Sequence, residues 1–152
     1  SEVLQRKSAA VPDPTLGEGR VAEMMRADPP VLAPNAHFAD IARMFLNGRV
    51  NNLYVVDDAG KFLGVVSLHD IKPYLGEPDL AELVIARDIL REDFPRVFPD
   101  QPLTEALAGF LGIVAERLPV VDRDGTLRGS LAKSDLLLAL IEKQKKPVEA
   151  RA

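Results

Sequence analysis

Cysteine and tryptophan are both absent from the 152-residue sequence. Without cysteine, the chain has no disulfide framework, no thiolate metal site and no cysteine nucleophile. Its histidines, His37 and His69, are not accompanied by other candidate ligands at metal-binding spacing, and the sequence has no glycine-rich phosphate loop. We therefore expect neither a metal site nor catalytic activity.

Long apolar runs and an excess of positive charge are absent as well. The uncharged segment 106–115 has about half of the roughly 20 apolar residues that a membrane-spanning helix needs. The formal net charge of −4 gives the surface as a whole no attraction to nucleic acid. Hydrophobic residues make up 47% and charged residues 28% of the chain, as in globular domains. The composition thus predicts a chain that folds in water and does not bind nucleic acid.

The chain does contain an internal repeat. Asp70 recurs as Asp135, 65 positions later, and residues on both sides match at the same offset without a gap. The matched pairs include Arg26 and Arg91, Pro30 and Pro95, Phe45 and Phe110, Val55 and Val120, Asp57 and Asp122, Gly60 and Gly125, and Gly64 and Gly129. Such a repeat indicates two copies of one structural unit.

Each copy has the same order of predicted elements. A short helix, 21–26 or 86–91, leads to a brief extended segment, 31–32 or 97–98. An amphipathic helix, two strands joined by a tight turn, and a final helix that begins near Leu68 or Lys133 follow. Gly60 and Gly125 lie where the turns need a positive φ. Apolar residues at i, i+3, i+4, i+7 and i+8 predict one buried face for each amphipathic helix. They are Phe38, Ile41, Ala42, Phe45 and Leu46 in the first copy and Leu103, Ala106, Leu107, Phe110 and Leu111 in the second.

One copy, about 50 residues long, buries too little apolar surface to be stable alone, so we expect the copies to face each other. The predicted fold class is α+β, with two pseudo-twofold-related repeats, each β-α-β-β-α with a leading helix, and with equivalent clefts where the copies meet. The predicted organisation is a leader at 1–20, a first repeat at 21–75, a connector at 76–85, a second repeat at 86–143 and a tail at 144–152.

Four segments, 53–57 and 64–70 in the first copy and 118–122 and 129–135 in the second, carry a family resemblance. Each copy joins an apolar strand that ends in aspartate to a strand followed by a second aspartate. This doubled pattern resembles the tandem CBS domain pair, or Bateman module. The resemblance implies a regulatory module that binds an adenine nucleotide (ATP, ADP or AMP) between the copies, with S-adenosylmethionine as the second choice.

The resemblance also implies two ligand clefts. In the family, the aspartate of a Ser/Thr-x-x-Asp motif binds the ribose hydroxyls, and an apolar-proline strand of the other copy covers the base. The implied first cleft contains Ser67, His69, Asp70, Val97, Phe98, Leu118 and Pro119. The implied second cleft contains Val31, Leu32, Leu53, Tyr54, Lys133 and Asp135. We favour the first, because the second has Tyr54 in place of proline and Ala132 in place of Ser/Thr.

Some of these residues have simpler structural interpretations. Ser67 and Asp70 fit a helix-capping pattern, which would satisfy the donors of the first helical turn. Arg26 and Arg91 could reach nucleotide phosphates, or could serve as charged residues at helix C-termini. The sequence leaves both pairs of interpretations open.

Segments 64–75 and 81–89, together with 11–16 in the leader, resemble the cytoplasmic C-terminal region of bacterial ClC-type chloride channels and transporters. This resemblance implies a homodimeric cytoplasmic module, tethered to the inner membrane through a preceding transmembrane domain. The alternatives are a ligand-free module that only dimerises and a CBS sensor of another transporter or enzyme.

Overall fold

The two repeats fold into elements of the same kind in the same order. The computed structural model describes residues 19–151 and the side chains of residues 19–143. The first repeat comprises α1 (Val21–Met24), β1 (Val31–Leu32), α2 (Phe38–Gly48), β2 (Asn52–Val56), β3 (Phe62–Ser67) and α3 (Leu68–Leu75). After α4 (Pro78–Ala81) come α5 (Ala86–Ile89), α6 (Leu103–Leu107), a 3-10 turn (Ala108–Phe110), β4 (Arg117–Val121), β5 (Leu127–Ala132) and α7 (Lys133–Arg151). The predicted α+β class is confirmed.

Each repeat has its own small sheet. In the first, β1 runs parallel to β2, and β2 pairs with β3 in antiparallel register. In the second, β4 and β5 form the equivalent antiparallel pair. The extended segment expected at Val97–Phe98 is reduced to one parallel bridge between Val97 and Val120, the counterpart of the bridge between Leu32 and Val55.

The two hairpin turns meet each other. Gly60 and Gly125 have φ values of 85° and 97°, which confirms the positive φ expected at both positions. The Phe62 N–H donates to the Gly125 carbonyl at 2.8 Å, and the Leu127 N–H donates to the Gly60 carbonyl at 3.0 Å. These two bonds are equivalent under the repeat, so they lie on either side of the expected pseudo-twofold axis.

The leading helices are exchanged between the repeats. Val21 of α1 is fully buried in the core of the second repeat, against residues that include Leu118 and Leu136. Ala86 of α5 is fully buried in the core of the first repeat, which includes Leu53. Neither repeat therefore completes its core without the other. The missing apolar burial of each unit of about 50 residues is supplied by the leading helix of its neighbour.

The exchange requires each leading segment to cross the last strand of the other repeat. Arg26 and Ser130 exchange two backbone hydrogen bonds of 2.8 and 2.9 Å, and Arg91 and Val65 exchange an equivalent pair of 2.8 and 3.0 Å. Gly129 precedes Ser130, and Gly64 precedes Val65. A Cβ atom at Gly129 would overlap the Arg26 carbonyl oxygen, and one at Gly64 would overlap the Arg91 carbonyl oxygen. The repeated glycines thus allow the close crossing.

Several predicted helix limits and faces are wrong. Leu46 and Leu111 were expected on buried faces but are 83% and 73% exposed. The second amphipathic helix is α-helical only to Leu107, and its last turn is 3-10. Gly109 packs against Leu118 at this point, and glycine is a poor helix former, which accounts for the shorter helix.

The limits of the leading helices also differ from the prediction, whereas the domain boundaries stay a prediction. The leading helices stop at Met24 and Ile89, earlier than expected. Helix α7 continues to Arg151, within the segment predicted to be a tail. The predicted leader lies outside the described residues, apart from positions 19 and 20. Within the described part of the chain, no helix is long and apolar enough to span a membrane.

The crossing glycines give a direct test of the exchange. We expect Gly129→Ala and Gly64→Ala each to lower the free energy of unfolding by about 1–3 kcal/mol, because the new methyl group overlaps backbone rather than a mobile side chain. Gly76→Ala is the matched control, since a Cβ there meets nothing within 4 Å. Urea denaturation measures the free energy of unfolding of the three variants and of the wild type. Equal midpoints for the crossing variants and the control would contradict the proposed crossing.

Candidate functional site

Asp70 and Asp135, which are equivalent in the two repeats, each bind an arginine from the leading segment of the other repeat. The Arg91 Nε and Nη2 atoms lie 2.7 and 2.8 Å from the Oδ2 and Oδ1 atoms of Asp70. The Arg26 Nε and Nη2 atoms lie 3.3 and 3.1 Å from the Asp135 Oδ2 atom. The arginines follow α1 and α5 in extended segments, so the expectation that they sit at helix C-termini is wrong. The sequence contained a signal for these pairs, since all four residues recur at one offset.

Asp70 is held as a charged carboxylate. The hydrogen bonds from Arg91 lower the pKa of the Asp70 carboxyl. Burial acts in the opposite direction, but its effect on the pKa is smaller. The Ser67 hydroxyl oxygen accepts a hydrogen bond from the Asp70 backbone N–H at 3.1 Å and so caps α3. The capping interpretation is confirmed for Ser67, whereas the Asp70 carboxylate is used by Arg91.

A cavity of about 590 Å³ opens between the repeats on the Asp135 side. It is lined by residues 26–30, 48–52 and 114–117, together with Tyr54, Ser130 and Lys133. This volume is typical of small-molecule sites. The cavity therefore coincides with the second of the two clefts that the family resemblance implies.

The cavity is more cationic than the protein as a whole. Arg26, Arg49, Arg117 and Lys133 line it, against only Asp28 and Glu116 among the acidic residues. The full chain has a net charge of −4. A positive, partly enclosed surface of this kind attracts anions. The repeat gave no signal for Arg49 or Arg117, because their equivalents are Val114 and Asn52.

The crossing beside Asp70 has larger or more apolar residues than the equivalent positions of the crossing beside Asp135. Phe94 replaces Pro29, Val65 replaces Ser130, and Leu68 replaces Lys133. Phe94 packs against a central cluster formed by Tyr54, Phe62, Val65 and Val121. Pro29 thus lines the cavity near Asp135, whereas its equivalent near Asp70, Phe94, is an aromatic ring packed against the central cluster.

The residues of the favoured first cleft lie partly in the core and partly at the surface. None of them lines the 590 Å³ cavity. Val97, Leu118 and Pro119 are buried, the first two in the core of the second repeat. Phe98 is half-buried beneath the Arg123 guanidinium, whose carbon lies 3.9 Å from the ring centroid. His69 is exposed.

The residues of the second cleft are divided between the cavity and the core. Tyr54 and Lys133 line the cavity, and Asp135 is connected to it through Arg26. The side chains of Leu32 and Leu53 are buried in the core of the first repeat and do not line the cavity. Val31 is 45% exposed.

Tyr54 is uncharged in the folded protein. Burial raises the pKa of its hydroxyl well above the ordinary value, and the nearby Arg117 charge offsets only part of this effect. The ring packs edge-on against Phe62, with centroids 6.0 Å apart. Among the described residues, no group of three or more histidines or carboxylates could hold a metal ion.

Comparisons with known proteins agree with this architecture. A protein of Methanocaldococcus jannaschii is 24% identical over 129 residues, which cover 85% of this chain and 40% of that protein, so the chain spans less than half of this relative. The crystal structure of CBSX2 in complex with AMP is 26% identical with a TM-score of 0.68, covering 82% of this chain and 98% of that one. CBSX2 is from Arabidopsis thaliana.

A CBS domain pair/ACT domain protein from Thermotoga maritima is 28% identical with a TM-score of 0.69, again covering 82% of this chain and 98% of that one. The family model of the CBS domain matches residues 21–77 and residues 86–142, one match for each repeat. The chain therefore belongs to the CBS domain family, and its two repeats form a tandem CBS pair.

Proposed function

We propose that this CBS pair is a non-catalytic regulatory module that binds an adenine nucleotide in the cavity on the Asp135 side. The observation that carries the proposal is a small-molecule-sized cavity with a cationic lining, next to an aspartate whose Oδ1 atom accepts no hydrogen bond from the described side chains. The AMP complex of CBSX2, which shares the fold and 26% of the sequence, supports an adenine nucleotide as the ligand class.

The two aspartates differ in what they can offer a ribose. Arg91 engages both carboxylate oxygens of Asp70, whereas both Arg26 bonds end on the Oδ2 atom of Asp135. The Oδ1 atom of Asp135 can accept hydrogen bonds from ribose hydroxyls without breaking the pair with Arg26. We therefore place the ligand on the Asp135 side, although the Pro119 and Ser67 criteria favoured the other cleft.

The charge of the cavity favours nucleotides over S-adenosylmethionine. Phosphates carry negative charge and accept several hydrogen bonds, which suits Arg26, Arg49, Arg117 and Lys133. S-adenosylmethionine carries a sulfonium cation, which the same residues repel. We expect ATP, ADP and AMP to bind more tightly than S-adenosylmethionine.

We propose that the module acts as a homodimer. Leu46 and Leu111 occupy equivalent positions in the two repeats and are both exposed. On helix α7, Leu138 and Ile141 are also more than half exposed. A second copy of the chain would cover these apolar side chains and remove them from water.

The proposed partner is a membrane-embedded ClC-type channel or transporter, with the module at the cytoplasmic side of the inner membrane. The sequence of segments 64–75 and 81–89 supports this proposal. In such a protein, a nucleotide regulates transport only if it binds one arrangement of the module more tightly than another.

Isothermal titration calorimetry with AMP, ADP and ATP tests the site. We expect Asp135→Asn to weaken binding by at least about tenfold, because a charge-assisted hydrogen bond to ribose is lost. Asp70→Asn serves as the comparison and should keep nearly full affinity, with circular dichroism confirming that both variants are folded. Loss in Asp70→Asn with retention in Asp135→Asn would place the ligand in the other cleft. No binding by the wild type would leave a purely structural module.

Light scattering coupled to gel filtration tests the dimer. We expect the wild type to have twice the 16.6 kDa mass of the chain. Leu138→Glu should shift the mass to that of one chain, because a buried charge at the interface is costly. Leu83→Glu is the control, since Leu83 is 76% exposed in the connector between the repeats. A wild type of 16.6 kDa at micromolar concentration would contradict the dimer.

A further inference from the structure

The hydroxyl of Tyr54 is a polar group on a buried residue, and it has no partner within the described part of the chain. The residue is only 4% exposed. Among the residues whose side chains the structure describes, none forms a hydrogen bond with this hydroxyl. A buried hydroxyl without a partner costs roughly 1–3 kcal/mol, so its presence calls for an explanation. Because the ring is held by the central cluster and Tyr54 lines the cavity, the explanation lies in what fills the cavity.

The wall around Tyr54 is rich in hydrogen-bond donors. Arg117 and Ser130 line the cavity together with Tyr54. Ser130 is 3% exposed, and its hydroxyl oxygen accepts a long hydrogen bond of 3.5 Å from the Arg117 Nη1 atom. A guanidinium cannot accept a hydrogen bond, and the Ser130 proton stays available once its oxygen is engaged. The wall therefore complements an acceptor.

We infer that the Tyr54 hydroxyl donates a hydrogen bond to an acceptor oxygen of the bound nucleotide and so helps to determine which ligand the module selects. This inference rests on the proposed nucleotide binding. The acceptor oxygen belongs either to a phosphate or to the ribose, because adenine has no carbonyl group. The equivalent residue of the other repeat, Pro119, has no hydroxyl, so the contact exists on one side only.

Tyr54→Phe separates a ligand contact from a structural role. We expect the variant to bind ADP about tenfold more weakly, as for the loss of one hydrogen bond. Its free form should be as stable as the wild type or more stable in urea denaturation, because the hydroxyl has no partner to lose. Tyr74→Phe is the matched control. Tyr74 packs against the Phe38 ring at 5.8 Å and does not line the cavity, so its variant should bind ADP as the wild type does.

Titrations with adenosine and AMP identify the acceptor. A loss of affinity in Tyr54→Phe that appears with AMP but not with adenosine assigns the bond to a phosphate. A loss of the same size with adenosine and with AMP assigns it to a ribose oxygen. If Tyr54→Phe binds every nucleotide like the wild type, the inference is overturned while the proposed function stands. If the wild type binds none of them, both are overturned.

Discussion

The exchange of leading segments is the constraint on which the rest of the structure depends. Helices α1 and α5 each complete the core of the other repeat, so the two repeats form one interdependent unit. The crossings at Gly64 and Gly129 bring Arg91 and Arg26 to the aspartates of the opposite repeats. Both candidate clefts lie beside these crossings. The exchange that stabilises the fold thus also places both aspartate–arginine pairs and the cavity between the repeats.

The two crossings are equivalent in their backbone but differ in their side chains. On one side, Phe94, Val65 and Leu68 are packed, and Arg91 uses both oxygens of Asp70. On the other side, the equivalent positions leave a cavity with a cationic lining. A duplicated unit provides two equivalent clefts, and a few substitutions decide which of them stays open. The asymmetry therefore lies in side chains that a shared fold does not specify.

Much of the fold follows from local signals in the sequence. Periodicity predicted α2, and the glycines at positions 60 and 125 predicted both turns. The capping role of Ser67 is also local, because it depends on residues three positions apart. The exchange of α1 and α5 is not local, because the pattern of an apolar helix does not reveal which of two similar cores receives it. The exposure of Leu46 has the same cause, since helical spacing does not fix the width of the buried face.

The sequence motifs around Asp70 and Asp135 could not show which cleft is open, because this depends on Phe94 and on loop cations outside the motifs.

Chemical-shift mapping of the 15N-labelled protein with ADP tests most directly the claim that only one of the two equivalent crossings receives ligand. We predict that the amide signals of Arg26 and Ser130, which cross on the Asp135 side, shift on titration. Those of Arg91 and Val65 should stay in place. Shifts at Arg91 and Val65 alone, or no shifts at saturating ADP, would contradict it.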